Sequence, residues 1–170
     1  MNAPHILTLA LNPEAETFFD ALRQQHFPAA RNFLKAHLTL FHHLPPHEPA
    51  IMQTIETLCN QQPLFTLQVT GVAGIGRGVA YKLESAVLQQ WHKQLQQQWQ
   101  PWLLPQDKQK IWPHVTVQNK VAPPVATKLL HQLQQTFTPF EATAPGLRLW
   151  NYLGGPWELV RTFSFINNTA

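Results

Sequence analysis

Two four-residue motifs of the same pattern can supply a proton acceptor and a proton donor to one reaction. Each reads His-φ-Thr-φ, with φ apolar: HLTL at residues 37–40 and HVTV at residues 114–117. An imidazole titrates near neutral pH, so two of them can act as general base and general acid together. The two hydroxyls can donate hydrogen bonds to the oxygens of a phosphate. The pattern therefore favours phosphodiester chemistry that needs no metal ion.

On a strand the side chains of each motif divide between two faces, because successive residues point in opposite directions. The apolar members are expected to face a core, and His42 should also point away from the front face. We expect the front faces to carry His37, Thr39, Phe41 and His43 in the first strand, and His114, Thr116 and Gln118 in the second. On that face, Phe41 could stack on a nucleobase or pack at the rim.

The segments around the two motifs are alike, which indicates an internal duplication. AHLTLFHHLPP and PHVTVQNKVAPP align, and basic residues precede both motifs. The order strand, helix, strand, Pro-Pro, helix, strand occurs twice. Two copies are too few for a solenoid, but they suit two similar lobes that face each other across a cleft. We expect one domain, 1–170, with lobe-forming repeats at about 1–74 and 75–170; strand exchange between the lobes stays open.

Hydrophobic periodicity predicts the elements that must position these motifs. Strands are predicted at residues 5–11, 33–43, 64–72, 79–83, 111–119, 140–152 and 157–166. Helices are predicted at residues 13–26, at about 51–59, from an N-cap at Ser85 to about 102, and at 125–137. Gly154, Gly155 and Pro156 predict a hairpin between the last two strands.

Composition and charge exclude several classes of protein. Apolar residues make up 44% of the chain, which permits a packed core. The formal net charge of +3 allows an anionic ligand but is too small for a broad duplex-binding face. The single cysteine, Cys59, excludes an internal disulfide and a cysteine-based zinc site. Without a long apolar run or a signal peptide, we expect no membrane association and a cytoplasmic location.

Two further segments invite a binding interpretation. Residues 71–78 (GVAGIGRG) lack the Gly-Lys-Ser/Thr ending of a phosphate-binding P-loop and join two predicted strands, so a flexible hinge or hairpin that connects the lobes is expected there. Arg77 within it is a candidate contact for an anionic ligand. His42, His43 and His47 match no standard zinc spacing, and no metal site is expected. Asp107 is the only carboxylate near either motif, which argues against a magnesium site.

The paired motifs resemble those that define the 2H phosphoesterase superfamily, specifically its bacterial 2′-5′ RNA ligase-like branch of RNA 2′,3′-cyclic phosphodiesterases. The resemblance covers nearly the whole chain. It implies an α/β (α+β) fold of two pseudo-symmetric lobes around a central cleft, each a largely antiparallel sheet with helices packed on its outer face. It also implies metal-independent cleavage or formation of phosphodiesters, with 2′,3′-cyclic phosphates and 2′-5′-linked RNA termini as typical substrates.

The same resemblance assigns roles to the motif residues. His37 and His114 would be catalytic, and Thr39 and Thr116 would grip the phosphate; which histidine is the acid and which the base stays open. RNA ends or small nucleotides are the expected partners, without a nucleotide cofactor or a stable protein partner. Many members carry a basic residue five positions after the second motif's histidine, where this chain has Asn119. Lys120 follows, but a shift of one residue on a strand changes the face.

The remaining candidates for substrate binding are residues near the motifs or in the glycine-rich segment: Phe41, His43, Gln118, Lys120 and Arg77. Two other functions remain open. The protein could bind nucleotides or RNA ends without turnover, although a binding module has no need for two proton-transfer groups. A zinc-dependent hydrolase built on the histidines of residues 42–47 is the third interpretation.

Overall fold

Eight strands form two four-stranded antiparallel sheets in the computed structural model, which describes residues 3–167. The strands are β1 (His5–Ala10), β2 (Leu38–Leu44), β3 (Phe65–Ile75), β4 (Gly78–Glu84), β5 (His114–Gln118), β6 (Phe140–Ala144), β7 (Gly146–Tyr152) and β8 (Trp157–Ser164). The first sheet has the order β2-β1-β7-β8, and the second has the order β5-β4-β3-β6.

Four helices connect and cover these sheets: α1 (Pro13–His26), α2 (Pro49–Gln61), α3 (Ala86–Gln98) and α4 (Pro123–Thr136). Three of them begin with proline, which suits the first helical turn: proline lacks a backbone N–H, and an N–H at that position would have no partner within the helix. The fourth begins after the predicted N-cap, where the hydroxyl of Ser85 accepts a hydrogen bond from the backbone N–H of Leu88 at 3.2 Å.

Two helices cross from one sheet to the other. α1 follows β1 of the first sheet but packs against β5 of the second, and Phe19 lies 5.4 Å from the ring of Tyr81 on β4. α3 follows β4 of the second sheet but packs against the first, where Trp99, just after the helix, lies 4.9 Å from the ring of Phe41 on β2. The predicted α/β fold with two antiparallel sheets is confirmed. Because each half supplies a helix to the other, we propose that both lobes fold as one domain.

The sheets do not divide the chain at residues 74 and 75. β3 pairs with β4 in the second sheet, although it lies mostly in the first repeat. β7 and β8 lie in the second repeat, but they belong to the first sheet: they pair with each other, and β7 also pairs with β1. Each sheet therefore combines strands from both repeats.

Three predicted elements need correction. Residues 140–152 are two strands, β6 and β7, in different sheets, since Pro145 cannot continue a hydrogen-bonded ladder. The strand predicted from residue 33 begins only at Leu38, and residues 29–31 form a short 3-10 turn. The glycine-rich segment does not connect lobes: it belongs to the β3–β4 hairpin of one sheet, whose turn uses the positive φ of 51° at Gly76.

Candidate active site

The four motif residues with polar side chains line a single cavity of about 440 Å³: His37, Thr39, His114 and Thr116. β2 and β5 are edge strands of their sheets, and they lie side by side. Their apolar neighbours, such as Leu38 and Val115, are fully buried on the opposite face. The structure therefore brings together the two motifs that are 77 positions apart in the chain.

Both motif histidines are oriented by the same backbone contact. His37 Nδ1 lies 2.8 Å from the carbonyl oxygen of Lys35, and His114 Nδ1 lies 2.6 Å from the carbonyl oxygen of Trp112. A carbonyl oxygen only accepts, so each Nδ1 must carry the proton and donate it. Nε2 is consequently the nitrogen of each neutral ring that is free to take a proton from a substrate. The two rings hold matched tautomers because the local backbone is repeated.

A β-bulge follows the threonine in each motif. On β2, Thr39 pairs with Thr8 of the antiparallel strand β1. The preceding residue of β1, Leu7, pairs with Phe41, so one residue of β2 is left over. On β5 the same step occurs: Ala80 pairs with Thr116, and Val79 pairs with Gln118. The extra residues are Leu40 and Val117, and both are buried. An inserted residue interrupts the alternation of faces, so the face defined by His and Thr ends at the bulge.

Because of the bulges, the prediction that Phe41 and Gln118 lie on the front face is wrong. Phe41 is fully buried and stacks on the ring of His92 at 4.5 Å instead of lining the cavity. Gln118 is buried as well and does not line the cavity. The motif pattern alone could not show this, since a bulge has no side-chain signature here. His92 donates from Nε2 to the carbonyl of the bulged Leu40 at 2.9 Å, which satisfies a group that the ladder leaves unpaired.

The β1–β2 register shifts a second time between Phe41 and Leu44, and the two histidines in between do not take their expected positions. His42, which was expected to point away, lines the cavity. His43, which was expected to extend the front face, is exposed to solvent and does not line it. The Nδ1 of His42 lies 3.0 Å from a carboxylate oxygen of Asp107, another residue of the cavity wall. Sequence reasoning noted Asp107 only as the nearest carboxylate and missed this pair.

A tryptophan packs against each motif histidine. Trp112 stacks on His114, with ring centroids 4.5 Å apart, and Trp157 lies 4.6 Å from the ring of His37. Both tryptophans line the cavity. Trp112 stands two residues before its histidine, so the motif could have indicated it. Trp157 comes from β8 through sheet pairing and has no local signal in the sequence.

The other basic candidates lie outside the cavity. Lys120 and Arg77 are exposed, and neither lines it. Asn119 does line it, and its side-chain oxygen accepts hydrogen bonds from the backbone N–H groups of Lys120 and Arg77 at 2.8 and 3.2 Å. Lys120 has a positive φ of 61°, so the chain turns at this point and no longer follows the strand. Substrate contact by either basic side chain stays a prediction.

The environment lowers the pKa of both motif histidines. Burial lowers the pKa of His37 to about 4; the positive charges of Arg23 and His114 act in the same direction, and the bond to Lys35 opposes them. Burial also lowers the pKa of His114, and the bond to the Trp112 carbonyl opposes that change. Loss of solvation disfavours the charged form of an imidazole. At neutral pH the free protein therefore holds His37 as a neutral ring, ready to accept a proton.

A second cavity of about 410 Å³ adjoins the first at His37 and Trp157, which line both. Its walls are largely apolar and include Trp150 and the exposed ring of Phe33. An ion pair between Arg148 and Glu16, 2.8 Å apart, also lines it. An aromatic-walled cavity with a few polar groups can hold a planar heterocycle.

Among residues 3–167, no group of three or more His, Cys, Asp or Glu side chains is gathered in a way that could hold a metal ion. No helix in the same part of the chain is long and apolar enough to cross a membrane.

The comparison that decides the family is the match of residues 11–156 to the model of the 2′-5′ RNA ligase superfamily. The chain belongs to the 2′-5′ RNA ligase superfamily. The predicted 2H phosphoesterase resemblance is thereby confirmed, and the protein is an enzyme of the phosphoesterase or ligase type. No curated protein matches the sequence.

Solved structures share the fold at low sequence identity. TT0787 of Thermus thermophilus is 16% identical, with a TM-score of 0.69 over 97% of this chain and 99% of that chain. A protein described as a phosphoesterase is 17% identical, with a TM-score of 0.60 over 98% and 100%. E. coli LigT in complex with 3′-AMP is 16% identical, with a TM-score of 0.58 over 98% and 100%.

Proposed function

We propose that the protein is a metal-independent phosphodiesterase that acts on RNA termini or nucleotides with 2′,3′-cyclic phosphates or 2′-5′ linkages. Formation of a 2′-5′ linkage would be the reverse reaction. One observation carries the proposal: His37 and His114 share a cavity, and each has Nδ1 fixed on a backbone carbonyl. Both Nε2 atoms are thus left for proton transfer to and from one phosphodiester.

The strongly lowered pKa of His37 favours a division of roles. We assign His37 as the general base, because its pKa of about 4 leaves the ring unprotonated at neutral pH. It takes a proton from water as the water oxygen bonds to phosphorus. His114 acts as the general acid and protonates the ribose oxygen as its bond to phosphorus breaks. In the ligation direction a ribose hydroxyl takes the place of water.

The threonines are proposed to stabilise the charge that develops on phosphorus-bound oxygens. Thr39 and Thr116 line the same cavity as the two imidazoles, and both are partly exposed. Among residues 3–167 neither hydroxyl has a hydrogen-bond partner, so both can donate to a bound phosphate. A donor placed where negative charge develops stabilises the transition state.

A nucleotide is the ligand class that suits the neighbouring cavity. With the phosphate between His37 and His114, an attached base would extend past Trp157 toward Trp150. Aromatic faces of this kind stack on bases with little sequence preference. Lys35 lines the second cavity and Lys110 the first, which supports an RNA end that continues beyond one nucleotide. The cytoplasmic location stays a prediction.

A substrate panel tests the proposal. Wild-type protein, His37→Ala and His114→Ala are incubated with 2′,3′-cyclic nucleotides and with 2′-5′ and 3′-5′ dinucleotides, and products are separated chromatographically. We expect the wild type to open at least one cyclic phosphate or 2′-5′ linkage and both variants to lose that activity. If the wild type binds these nucleotides but leaves every one intact, the protein is a binding module and the proposal is wrong.

A further inference from the structure

Besides the two motif histidines, the cavity is lined by His92, whose Nε2 is bonded to the Leu40 carbonyl, and by His42, which the two-histidine reaction does not use. His42 lines the same wall as the motif residues, and 44% of its side chain is exposed. Its Nδ1 lies 3.0 Å from Asp107, and a carboxylate can only accept, so this nitrogen carries a proton. Nε2 has no hydrogen-bond partner among residues 3–167. The ring therefore presents one free nitrogen to whatever occupies the cavity.

Asp107 holds this ring firmly in place. The carboxylate is buried, with 2% of the side chain exposed. It accepts hydrogen bonds from the backbone N–H of His42 at 2.8 and 2.9 Å and from that of His43 at 2.9 Å. Burial raises the pKa of Asp107, but the hydrogen bonds from the side chain and backbone of His42 and from His43 outweigh it, and the pKa is lowered. The carboxylate is thus an anion whose acceptor sites face protein donors.

His42 lines the cavity at a different position on β2 from the motif residues. It lies three residues beyond Thr39, at most about 10 Å along the strand. A phosphate held by the two threonines and two motif histidines is compact, so a second group is better placed to reach His42. Lys110 lines the same cavity and forms no ion pair among residues 3–167. Its positive charge would favour an anion in the cavity.

We propose that His42, oriented by Asp107, is a second anion-binding point of this cavity and contacts a phosphate other than the one between His37 and His114. A ligand that carries two phosphates on one nucleotide would then bind more tightly than one that carries a single phosphate. The inference rests on the proposed function, because it assumes a phosphate at the two motifs. It narrows the substrate class to nucleotides or RNA ends with a further phosphate.

The test compares the binding of two probes by isothermal titration calorimetry at one fixed pH. The probes are adenosine 3′-monophosphate and adenosine 3′,5′-bisphosphate. His42→Asn is the informative variant, because its amide N–H can still donate to Asp107 while the free ring nitrogen is lost. His43→Asn is the matched control: it makes the same change at the neighbouring residue, outside the cavity. Thermal unfolding checks that both variants keep the wild-type fold.

We expect the wild type and His43→Asn to bind the bisphosphate about tenfold more tightly than the monophosphate, and His42→Asn to reduce this ratio to about twofold or less. An unchanged ratio in His42→Asn, equal affinity of the wild type for both probes, or no binding of either probe would each overturn the inference. Hydrolysis of cyclic phosphates is measured on the same samples. Cleavage with an unchanged ratio contradicts this inference alone, whereas a His42-dependent ratio without cleavage contradicts the phosphodiesterase proposal alone.

Discussion

The guanidinium of Arg23 donates from Nη1 to the carbonyl oxygen of Thr116, at 3.0 Å. The Nε of the same side chain donates to the carbonyl of Leu34 at 3.0 Å and to the side chain of Asn32 at 2.9 Å. One buried cation on α1 therefore links the segment that leads into His37 with the second motif. The relative placement of the two motifs depends on a residue that belongs to neither.

Arg23→Gln should loosen this link. The shorter neutral side chain leaves buried carbonyl oxygens without a donor, which should cost about 2–3 kcal/mol of stability. For a chain of this length that corresponds to a fall in Tm of roughly 4–12 °C. We also expect kcat to fall in the folded variant, because the distance between the histidines is no longer fixed. Differential scanning calorimetry and steady-state kinetics below the transition measure the two effects.

Arg31→Gln is the control for that experiment. Arg31 is exposed, and its side chain makes no hydrogen bond or ion pair among residues 3–167. The Arg31→Gln substitution removes the same charge near the segment that leads into His37. The Tm and kcat of this variant should therefore match those of the wild type. Equal losses in both variants would mean that net charge, and not the buried link, is responsible.

His37→Ala and His114→Ala should each lower kcat by about 10²–10⁴-fold on any substrate that the wild type cleaves, because each removes one proton-transfer group. The double variant should be little worse than either single variant, since the two groups act in one step. His131→Ala changes an exposed histidine on α4 and should leave kcat unaltered. Additive losses in the double variant would argue against concerted roles.

Thr39→Val and Thr116→Val should each lower kcat/KM by about 10- to 100-fold, the value of one hydrogen bond to a charged group. The shape of the side chain is nearly kept, so Tm should change little. Thr39→Ser and Thr116→Ser retain the hydroxyl and should keep most of the activity. If serine and valine variants were equally impaired, the methyl group would matter and the hydroxyls would not bind phosphate.

The pH profile of kcat/KM should be bell-shaped with its maximum on the acidic side of neutrality. Activity requires His37 without its second proton, so it should rise as pH passes about 4. Activity also requires His114 in its protonated form. Burial lowers the pKa of His114 from the ordinary 6.5, so activity should decline again as the pH rises through a value below 6.5. This profile reports the free enzyme. Constant activity from pH 6 to pH 9 would contradict the assignment of acid and base.

Activity should persist in an excess of a metal chelator, because the proposed reaction uses imidazoles and hydroxyls for every proton transfer and charge contact. The measurement is the initial rate on a cyclic nucleotide with and without EDTA. A rate that disappears in chelator and returns with a divalent cation would favour the metal-dependent alternative.

The sequence was sufficient for features that depend on local periodicity. The repeated motif predicted that His37 and His114 face a common cleft, and both line one cavity. Alternation correctly assigned Leu38 and Val115 to the core. Helix α1 begins and ends where its proline and apolar spacing predict. These inferences succeed because they need only the direction of side chains along a short element.

The tertiary structure decided which residues join the motifs. A bulge follows each threonine. As a result Phe41 and Gln118 do not line the cavity. His42, at the second register shift of β2, does line it. The side-chain pattern does not indicate an extra residue in a strand ladder. Trp157 and Arg23 reach the site from a strand and a helix paired or packed across the two halves. The amino-acid order thus specifies the chemical groups, but long-range strand pairing and helix packing determine which of them meet, because those contacts join residues far apart in the chain.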